Sequence, residues 1–329
     1  MGDVAMTVPV IRALTKQNSN IKITVLTRSF FAPFFKDIKE VNVFCSDFKN
    51  HHKGILGLFK LYNELIDLKI DFVVDLHNVL RSKALIKLFR FNGYTCHQID
   101  KARKDKKRLT CKDPNKELKP LKTTHERYAD VFRELGYTID LSKSYSANKK
   151  KIPEFISKKI KEKKLIGVAP FAAHESKSLP IRKLHELIKS LSSIDNTSIL
   201  LFGGGDRQKD IFESIAKDYQ NTFSCIGKVS FSEELDIISN LNVMISVDSG
   251  NGHIAASYDI PVITVWGVTH PSLGFKPYNQ PKCNQILPDL KKFPLIPTSV
   301  YGKNYPKTYL NCFQTIKISE IFHQVKKYL

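Results

Sequence analysis

The amino-acid sequence predicts an α/β protein with two doubly wound domains, each built on a parallel sheet. Apolar, β-rich runs alternate with helical patterns, and this alternation pauses at a basic polar stretch, residues 142–151, before it resumes. Strands that alternate with helices favour parallel sheets covered on both faces. With 329 residues the chain is long enough for two hydrophobic cores. We therefore expect domains at residues 1–148 and 149–329, joined by a linker.

The first half opens with a helical pattern at residues 4–14, which follows Met1-Gly2-Asp3 with no strand before it. Alternating elements come next. The predicted strands are 23–26, 41–45, 72–76 and 94–99, and the predicted helices are 55–68, 82–90 and 125–135.

Residues 101–122 interrupt this pattern with a lysine- and arginine-rich segment, which we predict to be a long surface loop. Most charged runs of this kind are simply solvated, but a loop of this length also favours contact with a substrate or a membrane. The segment lacks the interleaved aromatic residues that stack on single-stranded nucleic acid, so we expect no nucleic-acid partner.

The alternation in the second half predicts another doubly wound sheet. The predicted strands are 165–169, 198–202, 223–226, 243–247 and 262–266, and the predicted helices are 180–191, 206–216, 232–240 and 318–329. Two such domains in tandem form a cleft, and ligands of open α/β sheets bind beyond the carboxyl ends of the strands.

Composition narrows the class of partner. Hydrophobic residues make up 42% of the chain and charged residues 26%, which is ordinary for a globular protein. The balance of 52 Lys+Arg against 32 Asp+Glu gives a net charge of +20, which favours an anionic partner. No apolar run approaches the roughly 20 residues of a membrane span and no signal peptide is present, so we expect a cytoplasmic protein without a transmembrane segment. The six cysteines show no CxxC pair or zinc spacing, so we expect reduced thiols and no metal site.

A glycine-rich turn between the apolar run 243–247 and a helical pattern is the strongest functional signal. The turn consists of Asp248, Ser249, Gly250, Asn251, Gly252 and His253. Backbone N–H groups at the start of a helix attract anions, and Gly250 and Gly252 leave room for a phosphate, most plausibly that of a nucleotide diphosphate. The alternative is structural, with Asp248 or Ser249 as a helix cap and His253 as a partly buried histidine.

Three other strand ends in the second half carry candidate ligand-binding residues. Lys177 precedes a helix that begins near Pro180 and can neutralise a departing phosphate. Gly204 lies in a triple glycine that can pass close to a nucleoside, although this signal is weak by itself. Thr269 follows the last strand and can complete the wall of the pocket.

In the first half two carboxylates stand at suitable positions. Asp3 lies in the turn before the first helix, and Asp75 ends the strand 72–76. A carboxylate that faces a cleft can act as a general base for a sugar hydroxyl. The more frequent role is structural: a helix cap for Asp3 and a strand-end hydrogen bond for Asp75.

Taken together, these motifs resemble glycosyltransferase family nine, the ADP-heptose:lipopolysaccharide heptosyltransferases. The resemblance rests on Met1-Gly2-Asp3-Val4, DFVVDLH at 71–77, HESKSLP at 174–180, DSGNGH at 248–253, Pro261 and WGVT at 266–269. It covers nearly the whole chain in the right order. The D-[ST]-G-x-x-H turn with the following proline and G-x-T is the most specific part.

The resemblance implies a GT-B architecture of two Rossmann-like domains facing a cleft, and an inverting, metal-independent transfer. It assigns Asp3 as the base, Lys177 as the lysine for the donor phosphate, and Asp248, Ser249, Gly250 and His253 as the donor-binding turn. The donor it implies is a nucleotide sugar, ADP-heptose, used as substrate with no cofactor. The acceptor it implies is the lipopolysaccharide inner core, which places the enzyme peripherally on the cytoplasmic face of the inner membrane.

The chain departs from the family pattern in two places. Ala172 and Ala173 stand where small hydroxyl residues are common, and Leu179 replaces a tryptophan, so contacts to the donor differ. Family members also begin with a strand before the Gly-Asp pair. We therefore expect that this first strand of the N-terminal domain, with its turn about ten residues, is missing from the sequence as given.

The sequence is also compatible with other functions. The chain can be a family member with another nucleotide sugar or acceptor, or a non-catalytic protein that binds a nucleotide sugar or polyanion. An NAD-dependent dehydrogenase is disfavoured, because no strand is followed by G-x-G-x-x-G with an acidic residue about 20 positions later.

Overall fold

The computed structural model describes residues 1–143, 145, 147–160 and 164–329, so residues 144 and 146 of the predicted linker lie outside the described residues. The chain forms two compact units. The first consists mainly of Asp3–Lys101 and Thr124–Tyr145, and the second mainly of Ala102–Thr123 and Ser146–Leu329. Among the described residues, none of the helices has the length and apolar character required of a membrane span.

Strands and helices alternate through both units, as the sequence predicts. The strands are β1 (Ile23–Thr27), β2 (Val41–Cys45), β3 (Phe72–Asp75), β4 (Thr95–Gln98), β5 (Lys164–Ala169), β6 (Thr197–Leu201), β7 (Thr222–Ser224), β8 (Val243–Val247), β9 (Val262–Val265) and β10 (Gln285–Ile286). The helices are α1 (Gly2–Gln17), α2 (Gly54–Ile66), α3 (Leu80–Phe91), α4 (Arg103–Leu109), α5 (Thr124–Arg133), α6 (Glu154–Ser157), α7 (Ile181–Ser192), α8 (Asp206–Asp218), α9 (Phe231–Ile238), α10 (Gly250–Ala256) and α11 (Ile318–Lys326).

The first unit contains two parallel strand pairs, β1 with β2 and β3 with β4. Both pairs pack on one core formed by α2 and α3, whose buried members include Leu61 and Phe89. Leu26 and Phe44 come from the first pair, and Val73 from the second. Within the described residues no strand ladder joins the pairs, whereas the alternating pattern predicts one sheet. The additional first strand stays a prediction.

The second unit is built on one parallel sheet of six strands, in the order β10-β9-β8-β5-β6-β7. Every residue of β6, β8 and β9 is buried, as expected for strands covered by helices on both faces. The strand order reverses at β5, which pairs with β6 on one side and with β8 on the other. Ligands of open α/β sheets bind at such a reversal, beyond the carboxyl ends of the strands.

The basic segment at residues 101–122 differs from the predicted surface loop, because it contains α4 and packs within the second unit. The Lys106 ammonium lies 3.9 Å from the centroid of the Phe275 ring, a cation–π contact. The Lys116 ammonium donates a hydrogen bond to the backbone oxygen of Leu295 at 2.8 Å. The basic composition of the segment predicted an exposed loop, but these long-range contacts hold it against the rest of the second unit.

Candidate functional site

Three predicted site residues meet at the carboxyl ends of β5, β8 and β9. Lys177 lies in the loop after β5, Asp248 directly follows β8, and Thr269 lies beyond β9. The Lys177 Nζ is 3.2 Å from Asp248 Oδ2, and the Thr269 hydroxyl donates to the same oxygen at 2.8 Å. The sequence predicted all three residues, and the structure brings their side chains together within the second unit.

This cluster is largely removed from water. The side chain of Lys177 is 14% exposed, that of Asp248 is 9% exposed, and Thr269 is fully buried. A buried ion pair is held firmly when its remaining hydrogen-bonding capacity is met, and the Thr269 hydroxyl contributes here. Asp248 therefore orients the Lys177 ammonium, which keeps donors in reserve for an anionic group.

Two residues that sequence reasoning missed hold the Lys177 loop. Ser176 is fully buried; its backbone oxygen accepts from Val268 N at 3.2 Å, and its hydroxyl donates to the Gly302 oxygen. Gly302 has φ +78°, and a Cβ there would lie 2.8 Å from Lys177 Cγ. The serine beside Lys177 in HESKSLP was visible in the sequence, but its burial and its partner 126 residues away were not.

The glycine-rich turn forms the junction of β8 and α10. Ser249 is extended at φ −147°, and its hydroxyl lies 3.1 Å from that of Ser246. A Cβ on Gly252 would lie 3.2 Å from the Ser246 oxygen and 3.5 Å from Val262. Gly252 therefore allows α10 to pack closely on the strands. Its role in leaving room for a phosphate stays a prediction.

The remaining predicted residues of the second unit have separate surroundings. Gly250 is the first residue of α10, and His253 is buried in the same helix. The backbone N–H of Gly204 donates to Gln208 Oε1 at 3.0 Å, and a Cβ on Gly204 would meet open space. Among the described contacts none connects Gly204 with the Lys177 cluster, so its role toward a nucleoside stays a prediction.

In the first unit Asp3 lies beside a histidine. Asp3 is in the first turn of α1, and its Oδ2 is 3.8 Å from His77 Nε2. The side chains are 53% and 60% exposed, so both are open to solvent. Partial burial lowers the pKa of His77, Lys101 lowers it further, and Asp3 opposes both. The imidazole is therefore mostly neutral at pH 7.

Asp75 organises the backbone that carries His77. Its Oδ1 accepts the backbone N–H groups of His77 at 2.9 Å and Asn78 at 2.7 Å, and its Oδ2 accepts from Gln98 at 3.0 Å. Asn78 adopts φ +46°, a conformation that asparagine tolerates better than most residues, and its side-chain amide donates to the backbone oxygen of Ile99 at 2.8 Å. The carboxylate is buried and occupied by these donors, so the structure shows the strand-end role. Contact between Asp75 and a substrate stays a prediction.

One group in the described part of the chain has metal-ligand spacing: His51, His52 and Glu64. The Nε2 atoms of His51 and His52 lie 2.6 Å and 3.0 Å from the two Glu64 oxygens. The Nδ1 of His52 accepts the backbone N–H of Asp47 at 3.0 Å, so in the neutral ring Nε2 carries the proton. In this tautomer the Nε2–H of His52 donates to Glu64, so this histidine takes part in a hydrogen-bond cluster with the carboxylate.

Comparison with known proteins places these features in a family. The sequence model of glycosyltransferase family 9 (heptosyltransferase) matches residues 58–295. Lipopolysaccharide heptosyltransferase 3 of Escherichia coli (strain K12) is 27% identical over 288 residues, which is 82% of this chain and 80% of that protein.

Solved structures agree on the fold. The crystal structure of the family 9 glycosyl transferase from Veillonella parvula superposes with a TM-score of 0.72 at 17% identity, covering 99% of this chain and 94% of that one. Escherichia coli heptosyltransferase WaaC with ADP gives a TM-score of 0.63 at 20% identity, with 85% and 88% coverage. These likenesses confirm the α/β fold of GT-B type, with its two Rossmann-like units.

The family match includes the elements that carry Asp75, Lys177, Asp248 and Thr269. It spans well over half of the chain and confirms the resemblance seen in the sequence motifs. The chain is a glycosyltransferase and belongs to glycosyltransferase family 9 (heptosyltransferase).

Proposed function

We propose that this glycosyltransferase transfers heptose from ADP-heptose to the lipopolysaccharide inner core, with inversion and without a metal. The observation that carries the proposal is the Lys177–Asp248–Thr269 cluster, because it presents one oriented cation at the reversal point of the sheet. Family membership, and relatives whose names include lipopolysaccharide heptosyltransferase 3 and WaaC with ADP, support the donor and the acceptor.

Lys177 acts on the leaving group in this proposal. The bond between the anomeric carbon and the diphosphate oxygen breaks, and negative charge develops on that oxygen. A preorganised cation in a site that excludes water stabilises such charge strongly. Asp248 and Thr269 hold the lysine in position before the substrate arrives. The nucleotide sugar is a substrate, and no cofactor is required.

Asp3 acts on the acceptor. Its carboxylate takes the proton of the acceptor hydroxyl while the hydroxyl oxygen forms the bond to the anomeric carbon, so nucleophile and leaving group stand on opposite faces of the sugar. Its exposed position in the first turn of α1 makes it accessible to a large acceptor. The neutral His77 beside it does not bind the carboxylate as a cation.

The test is mass-spectrometric detection of transfer from a panel of nucleotide sugars, ADP-heptose included, onto Kdo-lipid A and its heptosylated product. We expect heptose transfer, and about a 10²- to 10⁴-fold lower kcat for Asp3→Asn with unchanged donor binding. Asp71→Asn, an exposed aspartate before β3, is the matched control. If Asp3→Asn retained full activity, Asp3 would not be the catalytic base. If a different sugar were transferred, the donor would not be ADP-heptose.

The acceptor lies at a membrane surface in this proposal, on the cytoplasmic face of the inner membrane, and the basic segment attracts it. Lys104 and Lys107 are exposed, whereas Lys106 is buried against Phe275. Reversal of Lys106 would disturb packing, so the variant to use is Lys104→Glu with Lys107→Glu. We expect weaker binding to lipopolysaccharide-containing membranes at low salt, since the attraction is electrostatic. Unchanged binding would count against this role.

A further inference from the structure

The outer face of α2 begins with apolar side chains. Its inner face is buried through Gly57, Leu61 and Leu65, as expected for a helix that covers strands. The opposite face should be polar, yet Ile55 is 76% exposed and Leu56 is 79% exposed. Phe59, one turn later, is 48% exposed. The helix therefore exposes three large apolar side chains in its first two turns.

The start of α3 adds to the same end of the first unit. The Arg81 guanidinium lies 4.1 Å from the centroid of the Phe48 ring, and Phe48 contacts the ring of His52 at 6.4 Å, just before α2. These contacts bring the first turn of α3 next to the approach to α2. Leu80, beside Arg81, is 89% exposed.

Basic residues outnumber acidic ones around these side chains, and the two acids there are already engaged, Asp47 with Asn50 and Glu64 with His51 and His52. Lys49, Lys53, Lys60 and Arg81 are all exposed. Two copies of this surface would bring like charges together, which disfavours self-association. The apolar side chains are exposed at the start of the helix. Lysines that flank exposed aliphatic and aromatic residues are the features with which helices bind anionic lipid.

We infer that Ile55, Leu56 and Phe59, with Lys53 and Lys60, form a docking surface for an anionic lipid bilayer. We name these five residues the α2 tip. The apolar side chains insert between lipid headgroups, and the lysines pair with the phosphates. The basic helix α4 differs, because its exposed residues are charged and its apolar residue Leu109 is buried, so it can attract a membrane but not insert.

The experiment is co-sedimentation of the full chain with phosphatidylcholine vesicles that contain a minority of phosphatidylglycerol and no lipopolysaccharide. The variants are Leu56→Ser and Phe59→Ser, which change no charge and lie outside the core. We expect each to reduce vesicle binding roughly tenfold, since a buried apolar side chain contributes the free energy of such a factor. Pure phosphatidylcholine should bind the unaltered chain less than the anionic vesicles do.

Phe91→Ser is the matched control, because Phe91 is 91% exposed at the opposite end of α3 and should not affect binding. The inference fails if the α2 tip variants bind like the unaltered chain, if Phe91→Ser weakens binding equally, or if the unaltered chain ignores anionic vesicles. A dimer in analytical ultracentrifugation that the α2 tip variants dissociate would also overturn it, in favour of self-association. No donor or acceptor is present, so the result is independent of the proposed transfer.

Discussion

The two units place their functional residues in contrasting settings. In the second unit a continuous six-stranded sheet supports Lys177, Asp248 and Thr269, which are nearly or fully buried and joined at one carboxylate oxygen. In the first unit Asp3 and His77 are more than half exposed and 3.8 Å apart. Rigid, desolvated charges suit the stabilisation of a small leaving group, whereas an open carboxylate suits a bulky acceptor. The difference predicts that one unit is preorganised and the other is completed by its substrate.

After Asp3→Asn, the largest effect should come from Lys177→Met, which keeps the length of the side chain and removes its charge. We expect transfer to fall about 10²- to 10³-fold, because the lysine stabilises charge in the transition state. Steady-state kinetics with nucleotide-binding measurements will separate loss of donor affinity from loss of rate. Lys217→Met, on an exposed position of α8, is the control and should behave like the unaltered chain. Equal activity of both variants would refute the preorganised cation.

Glu234 tests how the second unit tolerates a half-buried acid outside the cluster. Its neighbours on α9 are the buried Ile237 and Ile238, and burial raises the pKa of Glu234 to about 7. The folded state therefore holds the proton more tightly than the unfolded state. This contribution to stability is complete below pH about 4.5 and is lost as the pH rises to about 7, on the order of 3 kcal/mol in all.

Glu234→Gln should flatten this dependence. Thermal unfolding between pH 5 and pH 8 should show a falling Tm for the unaltered chain and a smaller fall for the variant. Glu233→Gln is the neighbouring control, since Glu233 is a capping residue whose carboxylate accepts the backbone N–H of Ser230 at 2.7 Å. Parallel curves for Glu234→Gln and the unaltered chain would show that burial does not control this acid.

Asp75→Ala should destabilise the first unit by about 2 kcal/mol, because it leaves the backbone N–H groups of His77 and Asn78 without their acceptor. Hydrogen exchange should show faster exchange at these two amides, and chemical denaturation gives the free energy of unfolding. Asp71→Ala is the exposed control. If amide exchange in the Lys177 loop increased as much as in the His77 turn, the two units would not respond independently, and the contrast between them would be wrong.

Thr269→Val should have the smallest effect. It removes one of the two donors to Asp248 Oδ2 and leaves the shape nearly unchanged, so about 1 kcal/mol and roughly tenfold in rate are expected. Thr298→Val is a control, because the hydroxyl of Thr298 donates to a loop oxygen of Asn304 instead. If Thr269→Val matches Lys177→Met in rate, Thr269 has a direct role toward the substrate.

The sequence predicted those features of the fold that depend on neighbouring residues, such as the positions of the buried strands. The apolar runs of β5, β6, β8 and β9 were readable because buried parallel strands are continuously apolar. The meeting of Lys177 with Asp248 followed from their positions at strand ends. Ser176 with Gly302 and Asp75 with Gln98 were beyond prediction, because their partners are distant in sequence and only packing brings them together.

The same limit explains the basic segment and the first unit. The high charge density of residues 101–122 predicted a solvent-exposed loop. In the structure, however, the Lys106 ammonium lies over the ring of Phe275, and the Lys116 ammonium donates to the backbone oxygen of Leu295. In the first unit β1 pairs with β2 and β3 pairs with β4. Hydrophobic periodicity predicts where a strand lies in the sequence, but not which strand it pairs with.

Because residues 102–123 belong to the second unit, no single cut divides the chain into its two units. The polypeptide leaves the first unit after Lys101, returns at Thr124, and leaves again after Tyr145. A cut at residue 148 would separate residues 102–123 from the second unit, so Lys106 would lose its contact with the Phe275 ring and Leu121 its hydrogen bond to Ser272. The two units therefore alternate along the sequence, because residues 102–123 belong to the second unit and residues 124–145 to the first. An exchange of domains between relatives must move residues 102–123 together with the second unit.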